Sequence, residues 1–134
     1  EHHHEIYTSS WKIFLDNKIF GIGPKMFRIE CSNYISSLDP CTTHPHNFYL
    51  QTLSETGLIG FILISMFYCY LLYSLLKIFI NRNQNSNIIY SFALFSLLVQ
   101  FFPFFPSGNL FNNWLCIIMF YSLGLLFYGK TYAK

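Results

Sequence analysis

The sequence predicts an all-α, polytopic membrane protein: a transmembrane helical bundle of three spans, with an N-terminal extracytoplasmic loop carrying short helices. Three observations carry this. Charged residues make up only 10% of the 134-residue chain and apolar ones 53%, whereas a soluble protein is about one quarter charged. The twenty residues from Gly57 to Leu76 carry no charge, which matches the length needed to cross about 30 Å of hydrocarbon. Two further apolar runs follow, each set off by a polar or proline-containing connection.

Residues 1–56 hold all six acids and four of the eight bases, with Gly21, Gly23, Pro24, Asp39 and Pro40 as turn formers, so they read as a water-facing loop. Glu1–Glu5 contains three histidines and lacks the apolar core of a targeting segment. The expectation is a fragment that starts inside the loop. His2 to His4 read as polar loop, with a tag remnant or a metal site as the alternatives. Ile6, Tyr7, Trp11, Phe14 and Leu15 recur at helical intervals across Ile6–Asn17, predicting a helix that lies on the membrane surface or against the spans. Gly21-Ile22-Gly23-Pro24 is a turn, either a tight loop or one that faces a phosphate.

His44-Pro45 reads as a helix start, because proline fits the first helical position, with Thr43 or His44 as the cap. On that helix His46, Asn47, Gln51, Ser54 and Glu55 share one half, predicted to be wet, while Phe48, Tyr49 and Leu53 share the other. Spans are expected at about 57–76, 88–103 and 110–128, separated by the polar Asn81–Asn87 connection and a turn between Pro103 and Asn113. Gln100 is expected to face protein rather than lipid. Lys77 and Arg82 flank the first connection and Lys130 and Lys134 follow the last span, whereas Pro103–Asn113 carries no charge. The positive-inside rule then places the 130–134 tail in the cytoplasm and the His46 loop outside. Cys69 and Cys116 fall within spans and read as packing residues. Cys31 and Cys41 share the outer loop and are disulfide candidates.

The formal charge of +2 is too small to suggest nucleic acid. General-base chemistry needs a group that takes a proton near ambient pH, and a histidine with a reference pKa near 6.5 suits that task. His46, beside the bilayer, is the candidate. Glu55 reads as stabilising a loop or pairing with Lys25 or Arg28, with contact to substrate as a lesser role. Lys25 and Arg28 are the cations near the glycine turn and could meet an anionic group. Asn47 orients a substrate or caps the local backbone. Asp16 and Asp39 stand alone, with no Asp-x-Asp pair for a metal and a nucleotide sugar.

His46-Asn47, Gly57 with ten residues between it and His46, then Gly60, with Glu55 just ahead, resemble the signature of the O-antigen ligase and O-antigen polymerase family. Upstream, Trp11 and the Phe20–Phe27 segment are similar to the Gly-x-Gly stretch that precedes the family's histidine. The resemblance covers nearly the whole chain and corresponds to the C-terminal part of such proteins. It implies a membrane glycosyltransferase that moves a polyprenyl-pyrophosphate-linked glycan, with inversion, to lipid A core or a growing glycan at the periplasmic face of a bacterial inner membrane. Polymerases and protein-glycosylating relatives share these motifs. On the resemblance His46 is catalytic, while Asn47, Arg28, Lys25, Glu55 and His44 bind substrate. Gly21, Gly23, Gly57 and Gly60 are structural, and no cofactor or metal is implied. Tyr7 stands where the family often has an arginine four residues before the tryptophan.

Two rivals remain. His2, His3, His4, His44 and His46 could form a metal site, although on a helix His44 and His46 would point about 200° apart. A structural membrane subunit would explain the spans but not the crowded polar junction. The orientation is open to a direct test. An Asn85→Cys variant is expected to resist an impermeant thiol reagent in intact spheroplasts and to react once the membrane is opened; labelling before opening would reverse the assigned sides.

Overall fold

Long apolar runs cut by proline, glycine and asparagine resolve into helices, and helix is the only regular structure among the described residues. The computed structural model describes residues 2–35, 41–80 and 87–131, with side chains from His4 onward. Its elements are α1 (His2–Asp16), α2 (Phe27–Glu30), a 3₁₀ turn (Cys31–Asn33), α3 (Phe48–Ile80), α4 (Ile88–Gln100) and α5 (Asn113–Thr131). The Asp39-Pro40 turn, most of the Asn81–Asn87 connection with Arg82, Lys134 and the side chains of His2 and His3 lie outside the described residues. The chain divides into two units, Glu1–Ser65 with Pro103–Asn112, and Met66–Phe102 with Asn113–Lys134.

In the first unit α1 buries Ile6 and Ile13 against Phe27 and Cys31, with Ile22, Tyr34, Ile35 and Cys41 packed around them. Ser9 and Ser10 share that buried side and return their hydroxyls to the Ile6 carbonyl at 2.8 Å, so no polar group is orphaned. The opposite face, Tyr7, Trp11 and Leu15, is exposed. A disulfide joins Cys31 to Cys41 at this core, and the Tyr34 hydroxyl donates to Asp16 at 2.8 Å. On the chain-entropy model a ring of this size stabilises by roughly 2 to 3 kcal/mol.

The helix entering the membrane does not run unbroken. Gly57 sits inside α3 at φ 66°, ψ −161°, in the left-handed half of the map that glycine adopts freely. The break frees backbone groups on both sides, and the glycine turn takes them up. Ile22 N–H donates to the Ser54 carbonyl at 3.0 Å, Gly23 N–H to the Glu55 carbonyl at 2.8 Å, and Leu58 N–H to the Lys18 carbonyl at 2.8 Å. Two chains this close leave no room for side chains: a Cβ on Gly21 would lie 2.6 Å from the Glu55 carbonyl oxygen, and one on Gly57 would lie 2.7 Å from Gly21 N. Gly60 is small for a third reason. A Cβ there would overlap the Thr56 side chain, whose hydroxyl donates to the Thr52 carbonyl at 2.8 Å just ahead of the break.

Two helices, Phe48–Ile80 and Asn113–Thr131, are long and apolar enough to cross a membrane, and after the break α3 exposes Leu63, Met66, Tyr73 and Phe79. The bounds differ from those expected. The first helix begins at Phe48 rather than at Pro45, and the last covers 113–131 rather than 110–128. The span expected at 88–103 is corrected to a helix of 13 residues, which rises about 20 Å and falls short of the hydrocarbon thickness by itself. Pro103 disfavours helical geometry at Phe102 and ends the run early.

In the second unit α4 packs on α5. Gly129 lets the backbones meet, since a Cβ there would lie 2.7 Å from Tyr90 N. Ser96 and Ser122 hydroxyls are 3.2 Å apart, and Gln100 Nε2 donates to them at 3.0 and 3.5 Å, so Gln100 does face protein. Lys130 Nζ donates to the Tyr70 hydroxyl at 3.0 Å. Cys69 is exposed rather than packed, while Cys116 is partly buried.

Gly57→Ala forces a side chain into left-handed backbone against the Ile19 carbonyl, and is expected to cost about 2 kcal/mol or more. Gly124→Ala, at a helical site with nothing within 4 Å, is expected to be neutral or slightly stabilising. Thermal unfolding of the two variants in detergent checks the contrast.

Candidate functional site

The junction between loop and first apolar helix is built from Thr43 onward. Pro45 is buried, but it does not open the helix. Asn47 is the cap: its Oδ1 accepts from Tyr49 N–H at 3.0 Å and Leu50 N–H at 3.1 Å, while its Nδ2 donates to the Pro103 carbonyl at 2.8 Å. The Thr43 or His44 cap expected from the sequence is therefore replaced, and both ends of the Asn47 amide are committed to backbone. His46, just before the cap, has φ 57°, a left-handed conformation that costs a residue with a Cβ about 1 to 3 kcal/mol. The fold holds it there through Ser107 N–H, which donates to the His46 carbonyl at 2.9 Å.

Because this segment is not helical, His44 and His46 do not point apart. Their rings lie 4.3 Å between centroids at 53°. His44 Nε2 is 3.3 Å from the Ser107 carbonyl and its Nδ1 is 2.9 Å from the Thr43 hydroxyl. A carbonyl only accepts, so Nε2 carries the hydrogen and Nδ1 accepts from Thr43. Burial and the neighbouring His46 hold the His44 pKa below the usual histidine value, and the Ser107 carbonyl pulls the other way. Both His44 nitrogens are thus engaged. The Ser107 hydroxyl is buried with no hydrogen-bond partner among the described residues.

The polar half of the first α3 turns is dry. Gln51, Ser54 and Glu55 are each 0% exposed, which corrects the water-facing role expected for that half. Glu55 Oε1 accepts from Phe27 N–H at 3.0 Å, the start of α2, and Oε2 accepts from Gln51 Nε2 at 2.9 Å. Gln51 Nε2 also donates to Asn109 Oδ1 at 2.8 Å, and Gln51 Oε1 accepts from Leu110 N–H at 2.9 Å. Glu55 thus ties α2 to α3, and among the described residues it pairs with neither Lys25 nor Arg28. Both cations are exposed, and Lys25 has φ 65°. The amides of Ile22 and Gly23 are bound to α3, so the turn is a backbone clamp rather than an amide cradle for phosphate.

The structure brings His44, His46 and Asn47 together with the Pro103–Asn112 loop, while Lys25 and Arg28 stand on the segment that Glu55 anchors. Gln51, Ser107 and Asn109 were not singled out from the sequence as site residues. Gln51, Ser54 and Glu55 at i, i+3 and i+4 beside an apolar run were the available signal, since such a stripe needs a polar partner as much as it needs water. Among the described residues no group of three or more His, Cys, Asp or Glu could hold a metal ion.

Residues 3–65 match a family model described as O-antigen ligase. No curated protein and no solved structure matches the chain.

His44 predicts a pH dependence with a definite sign. Its folded pKa is depressed, so on acidification the unfolded chain takes the proton first, and the stability this group contributes is lost as pH falls below about 6.5. His44→Gln, which keeps an N–H for the Ser107 carbonyl, is expected to flatten the fall in thermal stability between about pH 6.5 and 5. An unchanged acid slope in that variant would show that His44 is not its source.

Proposed function

From the match of residues 3–65 to the O-antigen ligase family model, we propose that the protein is a membrane glycosyltransferase that uses His46 as general base. Its donor is a glycan on polyprenyl pyrophosphate, and its acceptor is lipid A core or another glycan. The single observation that carries this is the folded form of the His46-Asn47…Gly57…Gly60 segment. A half-buried histidine is locked in left-handed backbone between a cap and a neighbouring loop, less than four turns before the helix enters its apolar run.

The chemistry follows from that placement. An acceptor hydroxyl is a poor nucleophile until its proton is drawn off. His46 takes the proton as the hydroxyl oxygen bonds to the donor's anomeric carbon, and the bond from that carbon to the pyrophosphate oxygen breaks with its electron pair on the leaving group. Attack opposite the leaving group inverts the anomeric centre. His44, with both nitrogens already bonded, does not compete for the proton. Lys25 and Arg28, exposed on the anchored segment, are assigned to the pyrophosphate. Asn47 serves the site by capping rather than by touching substrate, and Glu55 serves it by holding α2 against α3.

The distribution of lysine and arginine supports a site on the periplasmic side of a bacterial inner membrane. The hydrogen bonds between 44–51 and the charge-free Pro103–Asn112 loop fit that orientation, because they require both stretches to lie on one side.

His46→Ala in the full-length protein is expected to lower glycan transfer by about 10²-fold or more, the range general-base help covers, with the protein still folded in the membrane. Transfer within a few fold of the parent would remove His46 as the base.

A further inference from the structure

We propose that the Pro103–Asn112 loop is part of the transfer machinery, with Asn109 a positioning residue that acts through Gln51 to hold His46 in its working conformation. This rests on the reading of His46 as the base. The loop touches the catalytic segment at residues on both sides of His46. Asn47 Nδ2 donates to the Pro103 carbonyl at 2.8 Å and His44 Nε2 lies 3.3 Å from the Ser107 carbonyl. Ser107 N–H reaches the His46 carbonyl itself at 2.9 Å. Gln51 exchanges two bonds with the loop, giving a hydrogen to Asn109 Oδ1 at 2.8 Å and taking one from Leu110 N–H at 2.9 Å.

Left-handed backbone at a residue with a Cβ persists only where its surroundings over-determine it. Here the bond to the His46 carbonyl comes from the loop, so the conformation of His46 depends on where the loop sits. Asn109 sets that position. Its Oδ1 accepts from Phe111 N–H at 2.9 Å, which shapes the turn, and from Gln51, which pins the turn to α3. The break at Gly57 is secured separately, by the glycine turn on the Ser54 and Glu55 carbonyls. Loss of Asn109 therefore loosens the base while leaving that clamp in place. Displacing a catalytic group by about 1 Å can cost on the order of 10²-fold in rate.

The test uses the full-length protein in liposomes, with an undecaprenyl-pyrophosphate-linked oligosaccharide as donor probe and turnover counted per folded molecule. Asn109→Ala is expected to lower kcat about tenfold or more and leave the donor KM within about twofold. Asn109→Asp, which keeps the accepting oxygen, is expected to return kcat to within a few fold. A stability role alone would reduce the amount of folded protein and leave kcat per molecule unchanged. An inactive His46→Ala beside an Asn109→Ala with the parent's kcat would overturn this inference and leave the base assignment standing. An active His46→Ala would overturn both. If the alanine variant does not fold, Asn109→Ser, with a shorter oxygen, carries the same expectation for kcat and the same overturning result.

Discussion

The exchange of backbone hydrogen bonds between the Gly21–Gly23 turn and the break at Gly57 is the constraint on which the first unit depends. A helix that leaves water for lipid can carry its ladder straight through, and this one does not. Its carbonyls at Ser54 and Glu55 turn to another strand of backbone, and the first amide beyond the break finds Lys18. Such an arrangement works only if three positions have no side chain or almost none: Gly21 and Gly57 where the chains touch, and Gly60 where Thr56 needs the space. The glycines are the means by which a loop of turn residues becomes fixed against α3.

From that contact the rest follows in order. With the turn anchored, α2 begins at Phe27, and its first amide meets a carboxylate buried on α3. A buried carboxylate is costly unless its oxygens are matched; both of them are, one by Phe27 and one by Gln51. Gln51 extends the same chain of contacts to Asn109 and Leu110. The α2 start, the first turns of α3 and the loop before α5 therefore form one polar network with no exposed carboxylate or amide at its centre. His46 is joined to the same loop through its carbonyl, which accepts from Ser107 N–H, and the residue is only partly buried.

Much of this was legible in the residues. Low charge and long apolar runs gave the helical membrane class, and the spacing of His46, Gly57 and Gly60 pointed to the junction. What could not be read was what each polar side chain faces. A helical projection groups Gln51, Ser54 and Glu55 on one side, but the projection looks the same whether water or protein lies opposite, and here it is protein. The helix start was misplaced for a related reason. Pro45 satisfies the rule for a first helical residue, yet the left-handed turn at His46 depends on a hydrogen bond from Ser107, sixty-one positions away along the chain. Likewise the length of α4 was overestimated, because apolar residues continue past Gln100 although the backbone has already turned toward Pro103.

The shortness of α4 bears on how the chain enters the membrane. Thirteen residues ending in a glutamine make a poor signal for insertion, since the segment is brief and would bring an unmet amide into hydrocarbon. Next to α5 that amide finds Ser96 and Ser122, and Gly129 lets the two backbones close together. No charged side chain in the connection between them has to be carried across. The two helices are thus suited to partition from the translocation channel as a hairpin, with α5 supplying the hydrophobic length that α4 lacks. The loop that grips the histidine is the connection between these two helices, so it is complete only once synthesis has reached α5.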